Sequence, residues 1–371
     1  MKRSTVDSHL QPITFVCGTP HGGAVDSTVA LAQCAIAAGH PTTLIVASRD
    51  PYSIDRRLNA VLVRLGRRSS RLARLGWRVY ERRHRRTASD EVAGVGVVRA
   101  TDVVAAARRL HPAHGLLVVN SVRRLDLVRL LDVALAAQSR LVWYLREVSA
   151  LAAVPELGSK VDVLVANSIP LADEAARLAG RACDFVPSVI DVDDLVEPVQ
   201  RRVLLLVNTV PSYGLDVAIE IARRRPHDHV VLQESWPLQA TDLSALRERI
   251  DALPNVEFRH RAPRPSIYRD TRIMLLPHSA EVVGLNRPRV ALEAQHLGIP
   301  VLAYDIPGLA AVVPSGASLV ASGDIGDWVE AIERVDDHYE RFAREARSLA
   351  ERELLTNEMV WRRFVAVANV S

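Results

Sequence analysis

Short apolar runs alternate along nearly the whole chain with longer stretches that carry apolar residues at helical spacing. In the first half, residues 13–16, 42–46, 116–119, 141–145 and 163–166 are dominated by Val, Leu, Ile and aromatic residues and read as buried strands. Between them, 27–38, 126–137 and 171–179 place apolar residues three and four apart and read as helices. Strands and helices alternating in this way build an open, mostly parallel sheet covered on both faces.

The rhythm breaks at 185–202, where two prolines and clustered acids mark an interdomain connection. It then restarts with strands at 203–207, 230–233, 256–259, 273–276 and 301–303, a long helical stretch at 324–349 and a last helix at 358–367. The expected fold is therefore α/β, with two doubly wound Rossmann-like domains at 1–192 and 200–355.

Composition agrees with that division. A chain of 371 residues, 49% hydrophobic, is long enough for two cores. No run of eighteen uncharged residues spans a membrane, and no apolar leader opens the chain, so a soluble cytoplasmic protein is expected. Cys17, Cys34 and Cys183 are odd in number and widely spaced, which suits neither a disulfide framework nor a metal site. The formal charge of +4 hides an asymmetry: residues 56–86 hold twelve arginines and one glutamate, carrying +11 against −7 for the remainder. Leucines there recur at helical steps, so the stretch suits an anionic membrane surface at the inner face, an acidic partner or nucleic acid. The plain alternative is a packed helix with a solvated arginine face. Nucleic acid is disfavoured, because no aromatic platform is interleaved with the charges.

Two segments carry candidate chemistry. "CGTPHGGAVDST", 17–28, ends the first strand and opens the first helix; Gly22 and Gly23 let backbone approach a ligand, and the helix N-terminus offers free amides to an anion. It is not the G-x-G-x-x-G of a dinucleotide site. "NRPRVALEAQHLGIPVLAYDIPGL", 286–309, is a helix leading into a strand, with a single carboxylate, Glu293, inside the helix. The plain alternative for Glu293 is a salt-bridged helix glutamate.

The succession "RIMLLP", "HSAEVVGLNRP", "RVALEAQHLG", "IPVLAY" resembles the donor-binding domain of GT-B glycosyltransferases of the retaining family 4 (group 1) type. The similarity extends back through "VLLLVNTVPSYGLDVAIEIARRRP" and forward through "ASLVASGDIGDWVEAI"; "HGGAVDSTVALAQCAIAAGHPTTLIV" is similar to the acceptor domain of the same family. The resemblance implies two domains facing a cleft, with 356–371 packing back on the first. It implies transfer of a sugar from a nucleotide diphosphate sugar to a hydroxyl acceptor, whether small molecule, glycan or lipid-linked. Retention is implied, with the leaving phosphate oxygen helping to deprotonate the acceptor. No metal and no cofactor beyond the co-substrate is expected.

Carried over residue by residue, the family's set is incomplete. Glu293 matches the glutamate that binds the nucleotide ribose. Leu285 stands where a glutamate contacts the donor sugar; Glu281 lies nearby and Asn286 follows. Asn208 and Tyr213 occupy the positions of an arginine and a lysine that neutralise the diphosphate, and Arg146 stands where a histidine is common. A departing diphosphate needs cations in a water-poor cleft. The expected replacements are Arg287, Arg289 and Arg146, with the amides of Gly22 and Gly23; Tyr213 is able to meet a phosphate or a sugar but carries no charge. The alternative is a catalytically degenerate GT-B protein that acts as a nucleotide-sugar-binding or auxiliary subunit.

Overall fold

The computed structural model describes residues 10–48, 87–92, 94–313, 318–321 and 323–370, so the arginine-rich stretch 56–86 lies outside the described residues. In the first domain the strands are β1 (Ile13–Cys17), β2 (Thr42–Ala47), β3 (Thr87–Val92), β4 (Val95–Ala100), β5 (Leu116–Asn120), β6 (Arg140–Leu145), β7 (Val163–Ala166) and β8 (Asp184–Phe185). The helices are α1 (Gly23–Ala37), α2 (Val103–Leu110), α3 (Arg124–Ala136), α4 (Val154–Leu157) and α5 (Ile169–Ala179), with a 3-10 turn at Val148–Ala153 before α4. The sheet order is β3-β4-β2-β1-β5-β6-β7-β8. All neighbours are parallel except the β3–β4 hairpin.

The central strands are buried along their whole length, because helices cover both faces; that is why they read as continuous apolar runs. The hairpin is the exception. β3, "TASDEV", is exposed and polar along an edge, and its charges keep that edge from pairing with another chain.

The chain crosses to the second domain through 186–202, whose start is pinned by Tyr144: the phenol donates to the carbonyls of Val186 at 2.6 Å and Pro187 at 3.1 Å. There follow β9 (Val203–Val207), α6 (Leu215–Arg224), β10 (His229–Gln233), α7 (Ala240–Ile250), β11 (Val256–Arg259), α8 (Arg264–Ile267), β12 (Thr271–Leu276), α9 (Ala280–Val283), α10 (Arg289–His296), β13 (Val301–Tyr304), α11 (Pro307–Ala310) and β14 (Leu319–Val320). The sheet order is β11-β10-β9-β12-β13-β14, parallel throughout. The helical stretch expected at 324–349 is two helices, α12 (Ile325–Asp337) and α13 (Tyr339–Glu353). His338 leaves helical geometry at φ −129°, ψ 33° and breaks it.

The chain then returns through 354–356. α14 (Asn357–Ala368) packs on the first domain, where Phe364 meets Phe15 at a ring separation of 6.5 Å and Trp361 stacks on Phe364. Two crossings tie the domains. No helix among the described residues is long and apolar enough to cross a membrane.

In each sheet the strand order reverses at one place, between β1 and β5 and between β9 and β12. Such a switch point opens a crevice outside the carboxyl ends of the strands. Here the two crevices face each other, since a Cβ built on Gly22 would strike the indole of Trp236 and one on Gly23 would touch Arg289.

Candidate active site between the two domains

On the first domain, the turn after β1 approaches the second domain closely. Gly22 has φ 87°, a left-handed conformation natural to glycine, and lacks the side chain that would meet Trp236. After β5, Ser121 holds φ 51° and its hydroxyl is buried without a partner among the described residues, as is the Oδ1 of Asn120. After β6 comes Arg146, buried, with its guanidinium 4.1 Å from the Tyr144 ring centroid. It donates to the hydroxyls of Ser27 and, at 3.2 Å, Ser188, and its Nε has no partner. Among the described residues no carboxylate forms a salt bridge with it. Burial pulls its pKa down, and the nearby Arg289 adds to that, while Tyr144, Cys17 and Glu147 oppose it. Beside it lies a recess of about 210 Å³ lined by Ser121, Arg123, Trp143, Tyr144, Arg146 and Glu147 among others. A larger recess of about 280 Å³ borders β2 to β4, away from both switch points, and its one charged group, Asp90, is paired with Arg99.

On the second domain, the α10 side is charged and saturated. Glu293, 2% exposed, accepts from the Tyr268 hydroxyl at 2.7 Å and from Arg289 Nη2 at 2.9 Å, with Arg264 at 3.6 Å. Arg289 also reaches across the cleft to Asp26 at 3.5 Å and to the Gly23 carbonyl at 3.3 Å. Burial draws the Arg289 pKa down, but Glu293 and Asp26 outweigh it and the net shift is upward. The salt-bridged glutamate of the plain reading is thus present, in a cleft between two switch points.

The β9 and β12 side is neutral. Asn208 holds φ 71°, and its Oδ1 and the Thr209 hydroxyl are buried without partners. Tyr213 packs edge-on between Trp236, at 5.2 Å, and His278, at 4.7 Å. Its pKa is raised by burial and by Glu147 across the cleft. His278 is 1% exposed with neither ring nitrogen bonded, and burial holds it down to about 3, so it is neutral at pH 7. Gly214, φ 86°, lets this turn press against Pro277, and Ser279 N–H donates to the Ser212 carbonyl at 3.0 Å.

The structure thus brings Arg146, Arg289, Glu293, Gly22, Gly23, Asn208 and Tyr213 to the facing crevices. Arg287 donates to the Glu353 carbonyl at 2.9 Å and carboxylate at 3.0 Å, which ties it to the end of α13 at the return crossing, while its charge also acts on Tyr144 of the first domain. Glu281 is exposed in the first turn of α9. Leu285 packs on the first domain's core, and its carbonyl accepts from Ser168, so that position joins the domains. Asn286 lies in the same loop with Oδ1 buried and unpartnered. Asp26, Trp236, Tyr268 and His278 join them without a local signal in the sequence: Asp26 follows β1, Trp236 follows β10, and Tyr268 and His278 flank β12. Among the described residues no group of His, Cys, Asp or Glu assembles a metal site.

Two doubly wound domains with opposed switch points define the GT-B class. Residues 201–337, most of the second domain, match the profile of the family described as Glycosyl transferases group 1. Among curated proteins, D-inositol 3-phosphate glycosyltransferase 2 of Catenulispora acidiphila is 30% identical over 215 residues, 49% of each chain. D-inositol 3-phosphate glycosyltransferase of Mycolicibacterium smegmatis is 28% identical over 153 residues, 38% of this chain and 34% of that one. The match thus spans half or less of the length of these relatives. Among solved structures, Anabaena HepE in complex with UDP and glucose superposes with TM-score 0.71 at 16% identity, covering 97% of this chain and 99% of that one. The pneumococcal O-GlcNAc transferase GtfA, in complex with UDP and GlcNAc, superposes with TM-score 0.64 at 11% identity, covering 97% and 99%.

Proposed function

We propose that this chain transfers a sugar from a nucleoside diphosphate sugar to a hydroxyl acceptor, with retention at the anomeric carbon. One observation carries the reading: Arg146, a buried cation with no carboxylate partner among the described residues, lies near enough to Arg289 for the two charges to act on each other where the two switch points meet. A buried charge without a counter-charge is costly, and an incoming anion relieves that cost. A diphosphate whose charge grows as the glycosidic bond breaks benefits from such preorganised donors most in the transition state.

In this reading Arg289 and Arg146 take the diphosphate, assisted by backbone amides of the turn at Gly22 and Gly23. Glu293 takes the ribose hydroxyls, which requires Arg289 to move from the carboxylate toward the phosphates. The acceptor enters the recess beside Arg146 and Glu147. The curated relatives are named for D-inositol 3-phosphate, and a compact polyol phosphate suits a recess of that size walled by Arg123 and Arg146. Retention rests on the resemblance of 272–309 to the retaining family, in which a leaving phosphate oxygen draws the proton from the acceptor on the same face of the sugar.

Thermal shift against UDP, GDP, dTDP and ADP and their sugar conjugates tests the donor. We expect one nucleotide to stabilise the protein and its sugar conjugate to be consumed. A protein stabilised by none of them and consuming none is not a transferase of this kind.

A further inference from the structure

The α10 side of the cleft is filled with paired charge, and the recess of the first domain lies opposite the β9 and β12 side. What stands between them is uncharged. Tyr213, Trp236 and His278 form a row of edge-on rings, with 83° and 66° between successive planes. The Trp236 indole is 42% exposed and abuts the glycine turn of the first domain. In the turns that carry the row, after β9 and β12, lie buried hydrogen-bonding atoms without partners among the described residues: both nitrogens of His278, Asn208 Oδ1 and Thr209 Oγ1. Buried polar atoms in a folded protein are normally bonded, so a group of them at a strand switch point calls for a ligand that bonds them.

The chemistry selects the ligand. Phosphate wants cations or a fan of amides, and these side chains carry no charge. A pyranose ring presents apolar C–H faces and a rim of hydroxyls, each able to donate and accept. Aromatic rings suit the faces, and neutral imidazole, amide and hydroxyl groups suit the rim. Position agrees, since Tyr213 lies close enough to Glu147, at the lip of the acceptor recess, for that carboxylate to raise its pKa.

We propose that Tyr213, Trp236 and His278, with Asn208 and Thr209 beside them, form the subsite for the transferred sugar ring, and that Trp236 is its specificity-determining wall. This rests on the transferase reading above. It replaces the expectation that positions 208 and 213 face the diphosphate, and it supplies sugar recognition that Leu285 does not.

Trp236→Ala and Trp236→Phe test it, because the exposed indole is removable without disturbing a core. Calorimetry compares UDP, GDP, dTDP and ADP each with its sugar conjugate. In the alanine variant the nucleotide sugar bound by the wild type weakens by about tenfold, while its nucleoside diphosphate changes by less than about twofold; phenylalanine restores most of the loss. Equal weakening of diphosphate and sugar conjugate assigns the wall to the nucleotide and overturns the subsite while leaving the transferase reading intact. No weakening of either also overturns it. A wild type that binds none of the four removes the transferase reading and the subsite together.

Discussion

At the start of α10 every carboxylate oxygen of Glu293 has a donor, whereas a short way across the same crevice, after β9 and β12, the polar atoms are neutral and several have no partner. The charged side is a closed set of Glu293, Arg289, Arg264 and Tyr268, with Asp26 added from the other domain. The neutral side is an aromatic row over unpaired amide, hydroxyl and imidazole atoms. In the proposed reading the contrast separates two tasks, holding a charged leaving group and recognising an uncharged ring. In the family resemblance, positions 208 and 213 serve the first task; in the function proposed above it falls to Arg289 and Arg146.

The largest effect should come from removing either cation. Arg289→Ala or Arg146→Ala should lower turnover by about a hundredfold or more, the loss of about 2.7 to 4 kcal/mol seen for one preorganised donor. Arg287→Ala, whose guanidinium is spent on Glu353, should leave the single-turnover rate within a few fold. Equal losses for Arg287→Ala and Arg289→Ala would erase the distinction between them.

A smaller effect is expected at Glu293. Glu293→Gln should weaken nucleoside diphosphate binding by about 1 to 3 kcal/mol, the worth of hydrogen bonds to a charged acceptor. Unchanged affinity in calorimetry would take the ribose away from α10.

On the neutral side the test is acid stability. Burial holds His278 down to about 3, while its imidazole titrates near 6.5 once exposed by unfolding. Between those values the unfolded chain binds the extra proton, so stability is full above pH 6.5 and declines as pH falls toward 3. His111, held down to about 4 by burial, acts in the same direction. His278→Phe should therefore lose less melting temperature than the wild type between pH 7 and 4.5. Parallel melting curves would show that His278 is not held neutral.

The smallest effect belongs to Asp26, an exposed carboxylate. Asp26→Asn removes one cross-cleft pair and should cost about 1 kcal/mol or less in stability. A larger loss in thermal unfolding would mean that the pair, and not the two chain crossings, holds the domains together.

The strand framework was legible because parallel strands covered on both faces must be apolar along their length, as 203–207 and 116–120 are. The β3–β4 hairpin was not, since "TASDEV" carries the polar residues of an exposed edge. Glu293 stood out as a lone carboxylate in an apolar helix, and the missing cations were visible as Asn208 and Tyr213. That Arg287 turns to Glu353 while Arg289 turns to Glu293 was not legible, because two arginines flanking Pro288 look alike until the helix axis sets their directions. Nor was the aromatic row, which joins turns following β9, β10 and β12 and has no local pattern. The left-handed backbone of Asn208 and Ser121 leaves no mark in composition at all.

Tyr213→Lys sets the two placements of the diphosphate directly against each other. It restores a cation where the resembling family has one, and it removes a ring from the row that this account assigns to the sugar. We predict that turnover of the nucleotide sugar falls and that affinity for the nucleoside diphosphate does not rise. A variant that turns over faster and binds the diphosphate more tightly than the wild type would contradict the account, returning the leaving group to the ends of β9 and β12.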